Sequence, residues 1–299
     1  MCIRDRPDSQ PWVLYLGFVA PHFPLVVPER FFNLYPLDEI DLPEIPQGHL
    51  ENQHPVHQRM RAMFGAVDFP EEQVRRARAG YYGLITYFDE KIGRLLQVLE
   101  EPGQRDNTVI VHFSDHGEMT GEHVMWRTSS FSEASARVTL QLVWPGRIAP
   151  ARRVAQVVSI VDLVATLVDV AGAAAPAPLD GDSLMELIGG RGQDWKDEAF
   201  AEYLAHGVLR PTAMLRRGPY KLHYSLGDPP QLYHVEDDPN EFVDLAADPA
   251  HRSVLAALQE CLLAQWDPGA LEAQVRQSQQ ERLLIEQAAA NQRCLPRGT

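Results

Sequence analysis

Asp115 and His116 stand side by side in Ser114-Asp115-His116-Gly117, directly after the apolar run Thr108 to Phe113 (TVIVHF). A carboxylate offers a hard anionic oxygen and an imidazole a nitrogen lone pair, so these neighbours could share a divalent cation. Gly117 lets the backbone turn sharply enough for both side chains to face one point. The same four residues also fit a plain turn in which the Asp oxygen accepts a backbone N–H, and spacing alone leaves both readings standing. His22, in Ala20-Pro21-His22-Phe23-Pro24, reads from its residues alone first as a histidine satisfied inside a Pro-rich turn, with hydrogen-bond or proton chemistry as the alternative.

Such side chains need a scaffold. Trp12 to Val19 (WVLYLGFV) is a continuous apolar run of strand length, ended by the Pro-rich Ala20 to Pro28, and predicts a strand buried on both faces. Asn33 to Phe69 keeps no regular period and reads as a long surface excursion. Tyr81, Ile85, Phe88, Ile92, Leu95, Leu96 and Leu99 recur at steps of mostly three and four, which predicts a helix stopped by Pro102-Gly103. A strand over Thr108 to Phe113 then carries the acidic group at its carboxyl end, where open α/β sheets place their ligands. Another strand, Val138 to Trp144, precedes a helix at about Ile160 to Val170 that terminates at Ala171-Gly172. From about Glu198 the segments AFAEYL, TAMLRR, YKLHYSL and QLYHV predict a small antiparallel sheet, and two amphipathic helices, Ala250 to Trp266 and Ala270 to Ala289, close the chain. The resulting expectation is an α/β body over residues 1–195 and a smaller α+β part over 196–299, with no internal repeat.

The 299 residues leave ample chain for a sizeable core. With 27 Lys+Arg against 41 Asp+Glu the formal charge is −14, which argues against nucleic acid or an anionic membrane surface and for small molecules, cations or proteins as partners. Cys2, Cys261 and Cys294 are odd in number, lie far apart and fit neither a disulfide framework nor a metal spacing, so a reducing, cytoplasmic setting is expected. No segment reaches membrane-span length, and neither a signal peptide nor an anchor is visible. The first strand-like run begins within a few residues of Met1, and the N-terminus therefore reads as incomplete.

The window Ser114 to Val138 resembles the second signature region of sulfatases in the alkaline phosphatase superfamily. The residues that carry the likeness are Asp115, His116, Gly117, Gly121, Glu122, His123, Phe131, Glu133, Arg137 and Val138. Four more blocks are similar to the family in the same order: the His22 segment, the helix Tyr81 to Leu99, Asp162 to Leu184, and Gln231 to Ala246 (QLYHVEDDPNEFVDLA). The resemblance implies an alkaline-phosphatase-like αβα sandwich, here lacking its N-terminal strands, with a small C-terminal antiparallel sheet and terminal helices. It implies a metal-dependent sulfuric ester hydrolase acting on a small sulfate ester. Asp115 and His116 would be metal ligands, the ion being calcium, with manganese or magnesium as alternatives. His22 would contact the transferred sulfuryl oxygens or the leaving group. A cation and fixed donors stabilise the spread charge of such an ester while a neighbouring acid protonates the departing alkoxide. The family's nucleophile is a Cys oxidised to formylglycine, whose hydrate attacks sulfur and afterwards collapses to the aldehyde.

Two departures stand out. Cys2-Ile3-Arg4-Asp5-Arg6 has the wrong middle residue and lies only ten positions before the Trp12 run, so Cys2 is rejected as nucleophile and formylglycine is expected in a missing N-terminal part. Where the family usually has a Lys that binds the sulfuryl oxygens, this chain has Thr128, preceded by Trp126-Arg127. Arg127 could supply the charge from next door, although on a strand a one-residue shift turns a side chain to the opposite face, and a solvated Arg is the alternative. His123 is a spare donor. The tail from Trp266-Asp267 through Val275, Ser278, Gln279 and Arg282 to Leu284 resembles the terminal helix of choline sulfatases and raises a homo-oligomer through that helix. A phosphonate monoester or phosphodiester hydrolase, and a non-catalytic sulfatase-like fragment, are the rival readings.

Overall fold

A computed structural model describes residues 11–65, 69–100, 104–205 and 207–293. In chain order the helices are α1 (Glu29–Phe32), α2 (Pro55–Phe64), α3 (Glu71–Glu100), α4 (Glu133–Ala136), α5 (Val161–Val170), α6 (Met185–Ile188), α7 (Arg252–Gln265) and α8 (Pro268–Arg293). The strands are β1 (Ile110–Phe113), β2 (Met119–Thr120), β3 (Trp126–Arg127), β4 (Leu140–Val143), β5 (Glu198–Tyr203), β6 (Thr212–Arg217), β7 (Tyr220–Ser225) and β8 (Gln231–His234). They fall into two compact units. The first draws on the chain up to Gln53, on Phe64–Ala155 and on Ile160–Trp195, and the second on His54–Met63, Gln156–Ser159 and the chain from Lys196 onward.

In the first unit α3 is the long element that the apolar spacing predicts. It begins ten residues earlier than Tyr81, with Glu71 and Glu72 in its first turn, where carboxylates complement the helix dipole. The Pro102-Gly103 stop lies outside the described residues. A Cβ at Gly83 would sit 3.2 Å from the carbonyl oxygen of Phe31, so glycine lets the segment around α1 cross α3 at close range. Strand β1 pairs antiparallel with β4, from Ile110 opposite Val143 to Phe113 opposite Leu140. Helix α5 ends at Gly172 with φ +62°, as a left-handed C-terminal residue should. Its buried Asp162 accepts the Asp182 N–H at 3.0 Å and its Thr166 hydroxyl accepts the Leu184 N–H at 2.9 Å, which clasps the Asp180 to Leu184 loop onto the helix.

Two expectations are overturned. Trp12 to Val19 belongs to no strand, and Val13 and Val19 are 91% and 79% exposed. Apolarity favours a strand only where a neighbour supplies the ladder, and among the described residues none pairs with this segment. It does lie near β1 and α3, with Tyr15 6.5 Å from Phe113 and Phe18 5.0 Å from Phe88 between ring centroids. The Asn33 to Phe69 excursion, for its part, contains α2, whose buried Val56, His57 and Met60 form a helical stripe masked in the sequence by its polar neighbours.

The second unit is built on a four-stranded antiparallel meander in the order β5-β6-β7-β8. Ala213, Leu215, Leu222 and Leu232 meet Leu258 and Leu262 of α7 and Trp266 to form its core. The Trp266 indole donates to Glu202 at 2.7 Å, which satisfies the ring's one polar atom. Preceding α2, His54 donates from Nε2 to the Pro229 carbonyl at 2.9 Å and accepts the Val56 N–H at Nδ1, so both ring nitrogens are used in the neutral form. Burial depresses its pKa below the ordinary 6.5, and the Pro229 hydrogen bond opposes this only in part. No described helix is long and apolar enough to cross a membrane.

Leu262→Ala leaves a cavity at a fully buried site and should lower stability by about 2–5 kcal/mol in urea unfolding of the chain. Because the folded state favours neutral His54, its contribution is complete above pH 6.5 and is lost as pH falls through the depressed value. Melting temperature should therefore drop between pH 7.5 and about pH 5.5, and His54→Gln should make that slope shallower.

Candidate functional site

Phe113 ends β1, and the next four residues make a turn held by internal hydrogen bonds and anchored outward by the Ser114 N–H, which donates to the Thr139 carbonyl at 3.2 Å. Ser114 donates its hydroxyl to the His116 carbonyl at 2.7 Å, and the His116 N–H donates to Asp115 Oδ1 at 3.1 Å. Gly117 donates its N–H to the Ser135 carbonyl at 2.7 Å, which seats the turn on α4. A Cβ at position 117 would lie 2.1 Å from the Ala134 carbonyl oxygen, so no side chain fits there. The Phe131 to Val138 segment therefore supplies the backbone surface against which the metal-ligand candidates are set.

His116 Nδ1 lies 2.7 Å from the Gly117 carbonyl, so that nitrogen carries the proton and Nε2 presents its lone pair. Nε2 stands 3.9 Å from Asp115 Oδ1. Both atoms can reach one cation, whose bonds to nitrogen and oxygen are roughly 2.0–2.6 Å. The side chain of Asp115 is 85% exposed, so its carboxylate is open to an incoming ion. The turn hydrogen bond and the ligand geometry can coexist, because a carboxylate oxygen carries two lone pairs and Oδ1 can accept the His116 N–H while still facing a cation. Among the described residues no three His, Cys, Asp or Glu side chains form a complete metal site.

His22 joins this pair. Its ring centroid is 5.5 Å from that of His116, and its Nδ1 is 2.6 Å from the Phe23 carbonyl. The Arg127 guanidinium lies 4.4 Å from the centroid of the Phe23 ring, on which His22 also stacks at 4.3 Å. Arg127 reaches this side because its backbone is left-handed, with φ +73°, which breaks the alternation expected of a strand. Thr128 follows at a bend and is half-buried. His123 is directed elsewhere: it is buried, its Nδ1 lies 3.0 Å from His49 Nε2, and its carbonyl accepts from Gln53 at 3.0 Å. Cys2 and Cys294 lie outside the described residues, and Cys261 sits in the second unit with Arg217 and Glu198.

Glu118 was not among the residues singled out above. Burial pushes its carboxyl above the usual carboxylate range, while His22, His116, Arg127 and a hydrogen bond from the Arg127 backbone N–H pull it back without cancelling the rise. Its Oε2 is buried without a hydrogen-bond partner among the described residues. The one signal in the sequence was its place in the same window, three residues after Asp115. A histidine pair, a carboxylate and an arginine thus converge beside the exposed Asp115, an arrangement able to bind a cation and a spread anionic group together.

The sequence profile described as Sulfatase matches residues 2–173, and one described as N-sulphoglucosamine sulphohydrolase, C-terminal, matches residues 121–267. A choline-sulfatase of Rhizobium meliloti is 35% identical over 296 residues, covering 96% of this chain and 57% of the relative. An arylsulfatase of Clostridium perfringens is 32% identical over 267 residues, covering 87% of this chain and 54% of the relative. The crystal structure of a phosphonate monoester hydrolase of Agrobacterium radiobacter superposes with a TM-score of 0.75 at 28% identity, covering 86% of this chain and 56% of that one. The chain spans about half the length of the curated relatives it matches. Its fold is the mixed α/β fold of these hydrolases with their small antiparallel sheet and C-terminal helices, and the chain belongs to the sulfatase family.

Proposed function

We propose that this chain contributes the metal-binding and anion-binding end of a sulfuric ester hydrolase that releases sulfate from a small organic sulfate. The observation that carries this reading is the convergence of His22, Asp115, His116 and Arg127 at the end of β1. Asp115 and His116 would hold a divalent cation, calcium or else manganese or magnesium, together with ligands beyond this pair. The bound cation would neutralise charge on the ester oxygens. Arg127 would bind a sulfuryl oxygen in place of the family's lysine, with the Thr128 hydroxyl beside it. His22 would hydrogen-bond the same group or give a proton to the departing alkoxide, which leaves as an alcohol. The nucleophile implied by the family is a formylglycine hydrate, and no described residue is assigned to that role.

Residues 1–195 would form the catalytic body and 196–299 the smaller part. The exposed Leu283, Leu284 and Ile285 on α8 support a homo-oligomer formed through that helix. A second reading, hydrolysis of phosphonate monoesters or phosphodiesters, is favoured by the likeness to the Agrobacterium enzyme. Paired aryl sulfate and aryl phosphonate assays on a protein carrying this chain and the nucleophile segment discriminate the two. Faster turnover of the sulfate is expected, and a strong preference for phosphorus would overturn the assignment.

Asp115→Ala removes a charged donor from the first coordination sphere and should abolish both metal retention, by elemental analysis after dialysis, and ester hydrolysis. Unchanged metal content would refute the ligand assignment. Arg127→Ala should lower kcat/KM about a hundredfold, as loss of one strong oxyanion donor does. An unaltered rate would return Arg127 to the solvated surface.

A further inference from the structure

Arg78 lies in the first third of α3 and is only 6% exposed, an unusual setting for a charge. Its guanidinium gathers groups from three separate stretches of the first unit. Nη1 donates to Glu122 Oε1 at 2.8 Å, to the Thr120 hydroxyl at 3.1 Å and to the Thr120 carbonyl at 3.3 Å. Nη2 donates to Asp41 Oδ2 and, at 2.9 Å, to the Tyr82 hydroxyl, which itself donates to Asp41 Oδ1 at 2.8 Å. Glu122 is held from its other side too, since its Oε2 accepts the Thr120 N–H at 2.6 Å.

These contacts meet on the β2–β3 hairpin. Thr120 is opposite Trp126 and Met119 is opposite Arg127, so the strand that Arg78 grips is the one that registers Arg127. Between the strands the chain passes through Gly121 at φ +113° and through His123 and Val124, both at φ +54°, a turn that local propensity does not favour. Such a turn persists when surrounding contacts over-determine it, and the Arg78–Glu122 pair is a charge-assisted one among those contacts. A lysine could not replace it, because one ammonium cannot present a planar fork to Glu122, Thr120, Asp41 and Tyr82 together.

We propose that Arg78 is a positioning residue for the candidate site: by clamping Glu122 and Thr120 it fixes the hairpin so that the Arg127 guanidinium stays over Phe23, beside His22 and His116. The value of that position to an anionic ester rests on the function proposed above, whereas the clamp itself does not.

The test uses the chain with Arg78→Lys and, separately, Glu122→Gln, which loosens the same clamp while leaving the buried guanidinium in place. Amide hydrogen exchange is followed across the hairpin and α3, and the reaction of Arg127 with phenylglyoxal is followed by peptide mapping. Both variants should exchange hairpin amides at least about tenfold faster, the factor that loss of one charged hydrogen bond implies. Arg127 should be modified at a changed rate, with exchange in the rest of α3 as in the parent. Hairpin exchange and Arg127 reactivity at parental values in either folded variant would overturn the proposal. So would uniform acceleration across α3 and hairpin, which is the mark of a merely structural role. Protection of parental Arg127 by inorganic sulfate is measured alongside. Its absence would count against the anion-binding reading and leave the clamp to be judged on exchange alone.

Discussion

The site geometry depends on one close approach of backbone to backbone. Position 117 faces the Ala134 carbonyl at a distance no Cβ could occupy, and its N–H is spent on Ser135. With that seat fixed, the carbonyl of Gly117 can accept the His116 imidazole, and the proton held at Nδ1 directs the Nε2 lone pair outward beside Asp115. No attraction between the two ligand candidates is needed to bring them together. Their adjacency comes from the turn, and the turn from glycine packed on a short helix that few would read as functional from its own residues, Glu133–Ala136. A close backbone contact of this kind is rigid because neither partner has rotamers to change, which suits a site that must present charge at fixed distances.

Much of this was legible in the sequence, and the exceptions have physical reasons. Helix α3 and strands β5 to β8 were readable because long apolar periods end at turn residues. Helix α2 was not, since its stripe is short and one of its buried members is His57, a residue type that carries no apolar signal. Trp12 to Val19 was misread because apolarity reports a wish for burial, whereas a strand is a relation between two segments. At the site, residue type and spacing made Asp115 and His116 candidates, and the resemblance to the sulfatases was needed to favour them and to add His22. Glu118 could not be found in either way, because its significance lies in being buried among cationic groups, and burial is a tertiary property. The fate of His123 was hidden for a similar reason: its partner His49 is 74 residues away in sequence.

Arg127 is the sharpest case of a local rule giving way. Period-two alternation sends it to the face opposite the one the neighbouring Thr128 would use, and on that rule the missing lysine has no substitute. The backbone at 127 instead adopts φ +73°, a conformation that costs an L-residue roughly 1–2 kcal/mol and persists only against compensating contacts. Two are present: the Glu118 carboxylate attracts the Arg127 charge, and the guanidinium rests on the face of Phe23, a contact worth about 0.5–2 kcal/mol. Both partners belong to segments that also carry His22 and His116, so the forces that hold the strained residue are the same ones that gather the site. Were the backbone at 127 to relax to an ordinary strand conformation, the guanidinium would therefore move away from the histidines, even though every other contact of the hairpin could remain.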